Sequence, residues 1–423
     1  MSGAGVNSAV RNLYSLIYLI LIAGLFMTVT NLVYVSAIPS LVFLLFSLPL
    51  LVYVHRSPVN RITFYTLVFY LLSVIGVVTY QPETLLEFDF FRYDGNFIVS
   101  YAPFLFLPFL CHHYSVDKTF RSFLYFVVLI NIPAYLYFFL IWNPYYMTLF
   151  SATNAAGGFY AIIAAMLLAL FVHSRKLTAA IMFVFILVLL LATTSRGSLL
   201  GLLAGIAIWW AWRRGFKHVA SLAISTIVLL QSILIINFYS YYEKGVTLDG
   251  YQRYESTSYM ATKTANIYAR LLRDWPRGAD AFSRSPVVGY GLGSVNDIPF
   301  NDTGIIPGLI ERNNPQAIRL DSAHAHHSYL HILGEQGILG LLIVVLLWRS
   351  IYRYLLDSDA VPWVRDGLLI SFWTIIFASF TEHRLTTPAM VLPFSLMFLV
   401  YYGRYGNRRC TTTALTIQEK HTV

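Results

Sequence analysis

The strongest constraint on this chain is a set of apolar runs that recurs from end to end, each long enough to cross a bilayer as a helix. A hydrocarbon core takes about 20 apolar residues per helix, and fewer where neighbouring protein surrounds the segment. Twelve runs meet that measure, at 14–35, 37–54, 62–79, 97–111, 121–141, 157–173, 177–194, 198–212, 219–238, 328–348, 367–381 and 389–402. Lipid offers the backbone no hydrogen-bond partners, so such runs fold as helices that satisfy themselves. Hydrophobic residues make up 57% of the chain and charged residues 12%. That is too little charge to cover a water-facing surface, which excludes the soluble globular classes. The first run is too long for a signal-peptide core and lacks a small-residue cleavage site, so it is expected to remain as a span.

The charges between the runs orient them. Basic residues gather in alternate connections: Arg56 and Arg61, Lys118 and Arg121, Arg175 and Lys176, Arg213 with Arg214 and Lys217, Arg349 with Arg353 and Arg365, then Arg404, Arg408 and Arg409, with Arg11 at the start. With both termini on that side, it holds 17 Lys and Arg against 5 Asp and Glu, and the opposite side holds 12 against 15. Such a bias marks the cytoplasmic face. The net charge of +9 is thereby explained by topology, and a nucleic-acid partner is not expected. Cys111 and Cys410 fall beside basic stretches of the reducing side, so no disulfide framework is implied.

The expected organisation is all-α and polytopic. Residues 1–238 carry helices one to nine, 239–325 form an extracytoplasmic loop domain, 326–403 carry helices ten to twelve, and 404–423 form a cytoplasmic tail. The loop balances nine basic against nine acidic residues and is rich in Tyr, Gly and Pro. A connection this long is usually functional or disordered. Its Ile267, Leu271, Leu272, Trp275 and Phe282 recur at near-helical spacing, which predicts amphipathic helices lying against the membrane.

On the extracytoplasmic side, polar residues converge from four parts of the chain. "TTSRGS" places Arg196 in the turn between helices seven and eight; "ASFTEHRLTTP" places Glu382, His383 and Arg384 between helices eleven and twelve. The loop supplies Arg270, Arg273 and Arg277, and "AHAHHSYLHILGEQGILG" adds His324, His326, His327, His331 and Glu335. Imidazole titrates near neutral pH, so the cluster suits proton transfer or metal binding. Were 324–335 helical, His327, His331 and Glu335 would share a face, but the first and last would stand about 12 Å apart at 1.5 Å rise per residue. One ion cannot bridge that, so no metal is expected. His331 is expected as a hydrogen-bonded interfacial residue, and Glu335 as a member of a polar network or an arginine pair. "GYGLGS" (289–294) is a poor phosphate cradle outside a strand–helix context and is expected to turn the chain after Pro286. Tyr268 and Trp275 suit either sugar stacking or anchoring at the membrane surface.

These motifs resemble those of the O-antigen ligase and polymerase superfamily of bacterial envelope enzymes. "HH" at 326–327, nine residues, then "GILG" at 337–340 is similar to its His-Asn/Ser/Gln, nine-residue, Gly-x-x-Gly signature. "ARLLRDWPRGADAFSRSPVVGYGLGS" resembles its Arg-led loop helix and glycine turn, and "TTSRGSLLGLL" its other Arg-bearing turn. The motifs span about 185–345. They map the superfamily's histidine onto His326 and its arginines onto Arg196 and Arg270. His327 stands where the superfamily has Asn, Ser or Gln; His324 and His327 are the other candidate imidazoles, and the glycine spacing selects His326.

The resemblance implies a GT-C-like glycosyltransferase of the inner membrane, with both termini cytoplasmic and a periplasmic site. It would move a polysaccharide from undecaprenyl pyrophosphate to a sugar hydroxyl of lipid A–core. It implies His326 as base and Arg196 with Arg270 on the pyrophosphate, with His324, His327, Arg273, Glu335, His383 and Arg384 in support. No cofactor or metal is implied. The partners are the glycan donor, the lipid A–core acceptor and membrane lipids. A polymerase or a protein O-oligosaccharyltransferase would use the same chemistry. A flippase or transporter would show repeats and polar residues near mid-membrane, whereas here the ionisable residues gather at one face.

Overall fold

The computed structural model describes residues 3–29, 60–80, 82, 96–110, 112–141, 149–150, 153–243, 270–292, 325–358, 360–385 and 387–405. Among the described residues, these α-helices run in chain order: α1 (Gly3–Met27), α2 (Arg61–Tyr80), α3 (Asn96–Tyr101) prolonged by a tighter 3-10 stretch (Ala102–Phe109), α4 (Val116–Ile141), α5 (Thr153–Ser174), α6 (Leu177–Ala192), α7 (Arg196–Arg213), α8 (Val219–Glu243), α9 (Trp275–Arg284) led in by one π-helical turn (Arg270–Asp274), α10 (Ser328–Asp357), α11 (Pro362–Ala378) and α12 (Pro388–Tyr405). The described residues contain no strand. Five of the helices, α2, α4, α5, α8 and α10, are long and apolar enough by themselves to cross a membrane. The chain is therefore an all-helical polytopic membrane protein. The apolar run 37–54 lies outside the described residues.

The core lies around α5, α11 and α12, whose residues are buried nearly all round, as befits helices enclosed by other helices. By contrast α8 leaves Leu222, Leu229 and Ile236 exposed, the face expected of a helix at the lipid boundary. Tight turns join neighbours: Arg175 and Thr194 take left-handed φ values of 56° and 54° to reverse the chain around α6, and Pro388 opens α12 where its missing N–H costs nothing.

Helices α7 and α11 pack backbone to backbone because α7 presents Gly197, Gly201 and Gly205 four residues apart. A Cβ on Gly201 would lie 2.7 Å from the Thr374 carbonyl oxygen, and one on Gly205 would lie 2.7 Å from that of Ile370. Lipid provides no hydrophobic drive between helices, so close van der Waals approach of small residues does this work. The stripe ends with Gly197 against Glu382, where a Cβ would lie 2.5 Å from the glutamate Cγ. At the opposite end of the same helices a basic cluster surrounds the fully buried Asp366: His173 Nε2 at 3.0 Å, Arg365 Nε at 3.2 Å and Arg213 Nη2 at 3.8 Å. Residues of three connections that the charge pattern assigns to one face thus meet in space.

The glycine turn of the long loop has a structural task. Helix α10 breaks at Gly337 (φ 63°, ψ −166°), which strands two donors and two acceptors of the α-helical ladder. The loop repairs all four. Ile338 N donates to Pro286 O (2.8 Å) and Leu339 N to Val287 O (3.3 Å), while Gly334 O accepts from Tyr290 N (3.2 Å) and Glu335 O from Gly291 N (2.7 Å). Buried backbone groups require such accounting. The turn expected after Pro286 is present, and it is plugged into a helix. Helix α9 likewise differs from expectation: Trp275 and Ala281 are buried and Gly278 abuts Leu330 of α10, so it packs on protein instead of lying on lipid. Gly337→Ala would place a Cβ 2.3 Å from the Val287 backbone at a φ that costs an L-residue about 1–2 kcal/mol. We expect a clear fall in the melting temperature of the detergent-solubilised protein, whereas Gly215→Ala, with open space around it, pays only the φ cost.

Candidate active site

The turn between α11 and α12 is the meeting point of the predicted residues, and its hub is Glu382. One carboxylate oxygen, Oε1, accepts from Arg270 Nη2 at 3.0 Å, and Arg270 Nη1 donates to the Thr381 carbonyl at 3.0 Å. The other oxygen, Oε2, lies 3.7 Å from His326 Nδ1. Glu382 is only 5% exposed. Burial works against its charge, but the His326 ring and the Arg270 and Arg384 guanidiniums outweigh burial and hold its carboxyl far below the ordinary range.

Ser328, the first residue of α10, ties the turn down. Its Oγ donates to Glu382 O (3.0 Å) and accepts from the backbone N–H groups of Arg384 (2.7 Å) and Leu385 (3.0 Å), and its own N–H donates to Ser379 O (2.9 Å). Arg384 is buried, which lowers its pKa although Glu382 opposes the shift. It donates from Nη2 to Ser195 Oγ at 3.2 Å. Ser195 is the residue that precedes α7, so this bond links the turn to Arg196, which opens α7 and is exposed. Arg196 therefore stands one residue from the Gly197–Glu382 contact.

The two adjacent histidines have different surroundings. His327 is buried and caps α10: Leu330 N donates to its Nδ1 (3.2 Å), so the proton sits on Nε2, which donates to Gln231 Oε1 (2.8 Å). Gln231 in turn donates to Phe380 O (2.9 Å). Burial pushes the imidazole down to about 3. With both nitrogens engaged, His327 supports the fold, and the geometry leaves His326 as the imidazole that faces Glu382. His326 holds a left-handed φ of 47°, a strained conformation for a side chain-bearing residue and one that clusters at functional sites.

A second group lies deeper in α10. His331 Nε2 is 3.1 Å from Glu335 Oε1, and the His383 ring stands 4.1 Å from that of His331. Glu335 is thus part of a polar group with His331, and both are buried. Among the described residues, no three His, Cys, Asp or Glu side chains group as metal ligands. His324 lies outside the described residues, as do the side chains of Arg273 and Arg277. Arg284 pairs with Asp280 (3.1 Å). Trp275 is buried with its ring edge-on to His327 at 5.2 Å, so it serves neither as a sugar platform nor as a membrane anchor.

Beside the turn, an apolar cavity of about 640 Å³ lies between α8, α10 and α11. It includes Gln231, His327 and Phe380 near the turn, and Trp348, Arg349 and Tyr352 farther along α10. The sequence reading missed Glu382 as the hub and Ser328 as the pin. The available signal for the first was a carboxylate beside an apolar span, which needs a cationic partner; a lone serine at a helix start carries no such signal.

Residues 181–345 match the O-antigen ligase family. The match supports a likeness of this segment to the O-antigen ligase-like superfamily. No curated protein matches the chain. The matched segment contains Arg196, Arg270 and His326 and the break in α10 at Gly337, and ends before Glu382.

His327 yields a pH prediction. The unfolded chain protonates this imidazole near its ordinary value of 6.5 and the folded chain only at about 3. Its contribution is therefore complete above pH ~6.5 and declines as the pH falls toward 3. His327→Asn retains an N-cap acceptor without a titrating group. The melting temperature of the variant is expected to lie below wild type at pH 7.5, with the gap narrowing at pH 5.

Proposed function

We propose that the protein is a glycosyltransferase that moves a polysaccharide from undecaprenyl pyrophosphate to a sugar hydroxyl of lipid A–core. The observation that carries this reading is the charge balance at the α11–α12 turn. Arg270 pairs with the single carboxylate of Glu382, the buried Arg384 guanidinium acts on it through space while bonding Ser195, and Arg196 stands exposed beside them. The cluster is left with an excess of positive charge at the edge of a low-dielectric bundle, which favours a multiply charged anion such as a pyrophosphate.

In the proposed reaction His326 takes the proton from the acceptor hydroxyl, whose oxygen attacks the anomeric carbon from the face opposite the pyrophosphate. The bond from that carbon to the pyrophosphate oxygen breaks, and undecaprenyl pyrophosphate leaves with the electron pair. A single displacement inverts the anomeric centre. A sugar hydroxyl is a poor nucleophile at neutral pH, and a positioned base contributes about 10²–10⁴-fold. Arg196 and Arg270 meet the charge that develops on the leaving group with bidentate forks. They fill the electrostatic role that a divalent ion has in other phosphate chemistry, so the mechanism is proposed as metal-independent. The apolar cavity beside His327 suits the polyprenyl tail of the donor. The basic cluster around Asp366 marks the cytoplasmic face in this reading, which puts the site on the periplasmic face of the inner membrane with both termini inside.

Reconstituted with a lipid-linked glycan donor and a lipid A–core acceptor, His326→Ala and Arg270→Ala are expected to lose transfer by about 10²-fold or more while remaining inserted and monodisperse. Wild-type rates in both variants would refute the reading. Cells lacking the gene should accumulate polymerised glycan on its lipid carrier. Accumulation of single repeat units would instead assign a polymerase, and loss of glycan from proteins a protein O-oligosaccharyltransferase.

A further inference from the structure

The cavity between α8, α10 and α11 is longer than a headgroup needs. Its near end is lined by His327 and Leu385, each the sequence neighbour of a member of the charged cluster, His326 and Arg384. Its far end is lined by Arg349 and Tyr352, and Arg349 is among the basic residues that the charge pattern assigns to the cytoplasmic face. His327 and Arg349 are 22 positions apart, about 33 Å of helix at 1.5 Å rise per residue. A hydrocarbon core is about 30 Å thick, so the cavity runs through both leaflets. Spread over that length, its 640 Å³ leave about 20 Å² of cross-section, room for one hydrocarbon chain in single file.

Its walls differ in character. Helices α10 and α11 present rings that brace one another: Tyr329 stands 4.6 Å from Phe380, Tyr352 5.3 Å from Trp373, and Trp348 5.4 Å from Phe372. Rings locked in this way keep the cavity preformed. Helix α8 presents small and aliphatic residues such as Ser221, Val228 and Ser232, and it is pinned near the turn by Gln231, which accepts from His327 and donates to Phe380. Its outer face, with Leu229, is exposed.

We propose that this cavity seats the polyprenyl chain of the donor through both leaflets and so discriminates carriers by chain length. The inference rests on the donor reading given above. An acyl chain anchored at one face stops near the mid-plane, about 15 Å in, and fills half of the cavity at most. A chain of eleven isoprene units is longer than the core is thick, so it reaches the far half from a headgroup at the near end. The several acyl chains of the acceptor exceed a single-file width. Because lipid and cavity are both apolar, the gain is one of packing and not of escape from water.

The full-length protein in nanodiscs is irradiated with undecaprenyl pyrophosphate that carries a diazirine on its terminal isoprene unit. Adducts are expected in the far half, within 221–228 of α8 or 341–352 of α10. Adducts confined to the neighbourhood of His327, or spread over the lipid-facing surface of α6, overturn the proposal and leave the far half to bilayer lipid. Transfer is then measured from glycan donors with eleven and with three isoprene units. The longer carrier is expected to have a KM lower by about tenfold, a modest factor because packing alone sets it. Val345→Trp, which puts an indole into the far half, should shrink that preference below about threefold, whereas Leu229→Trp on the outer face of α8 should keep it. Equal KM values for the two donors in wild type overturn the proposal. So does a Val345→Trp effect confined to the acceptor KM, which would give the cavity to lipid A. The labelling needs no turnover. Far-half adducts on a protein that transfers glycan from neither donor would sink the glycosyltransferase reading and leave the chain site standing; active transfer without far-half adducts sinks the chain site alone.

Discussion

A single buried carboxylate organises this structure. Taking an ion out of water is expensive, and removing one partner of a buried pair costs about 3–5 kcal/mol because the other is left uncompensated. Glu382 meets that cost with cations from two distant stretches of chain, Arg270 from the loop and Arg384 from its own turn, and with an imidazole, His326, at the start of α10. Each of those elements is therefore bound to the α11–α12 turn by electrostatics as well as by packing. The glycine stripe on α7 serves the same point, since it is the close α7–α11 approach that brings Arg196 to the edge of the cluster.

The bundle has two ionic ends of different character. Around Asp366 one fully buried acid is surrounded by His173, Arg213 and Arg365, of which Arg213 also lies over the Trp209 ring at 5.0 Å. The cluster reads as a clamp on helix ends. At the other end an imidazole sits at a left-handed φ and a buried arginine reaches a serine instead of an acid. The left-handed imidazole beside a buried carboxylate is the feature that sets this end apart as a candidate working face.

Much of this was legible in the sequence because lipid is a severe solvent. The apolar runs identified the helices, since a spanning segment has no alternative fold, and the charge bias grouped connections that do meet around Asp366. The convergence of Arg270 and His326 followed from placing their loops on one face. What escaped was whatever depends on atoms meeting across long stretches of chain. Nothing local in "HH" says that His327 caps a helix through Nδ1 while its neighbour faces a glutamate fifty-odd residues on. Trp275 looked like a surface aromatic because its burial under His327 depends on how α9 docks. The glycines of "GYGLG" and "GILG" could be read as turns, but not as two halves of one contact.

That contact makes the loop and the broken helix one unit of heredity. Segments 285–292 and 334–339 complete each other's backbone bonding through carbonyl and amide groups alone, so the pairing does not care which side chains decorate it but is intolerant of changes in length. An insertion or deletion in either segment shifts every partner at once. Shuffling loops between relatives to alter sugar preference would therefore succeed only where both segments travel together, or where the exchange is confined to chain outside them.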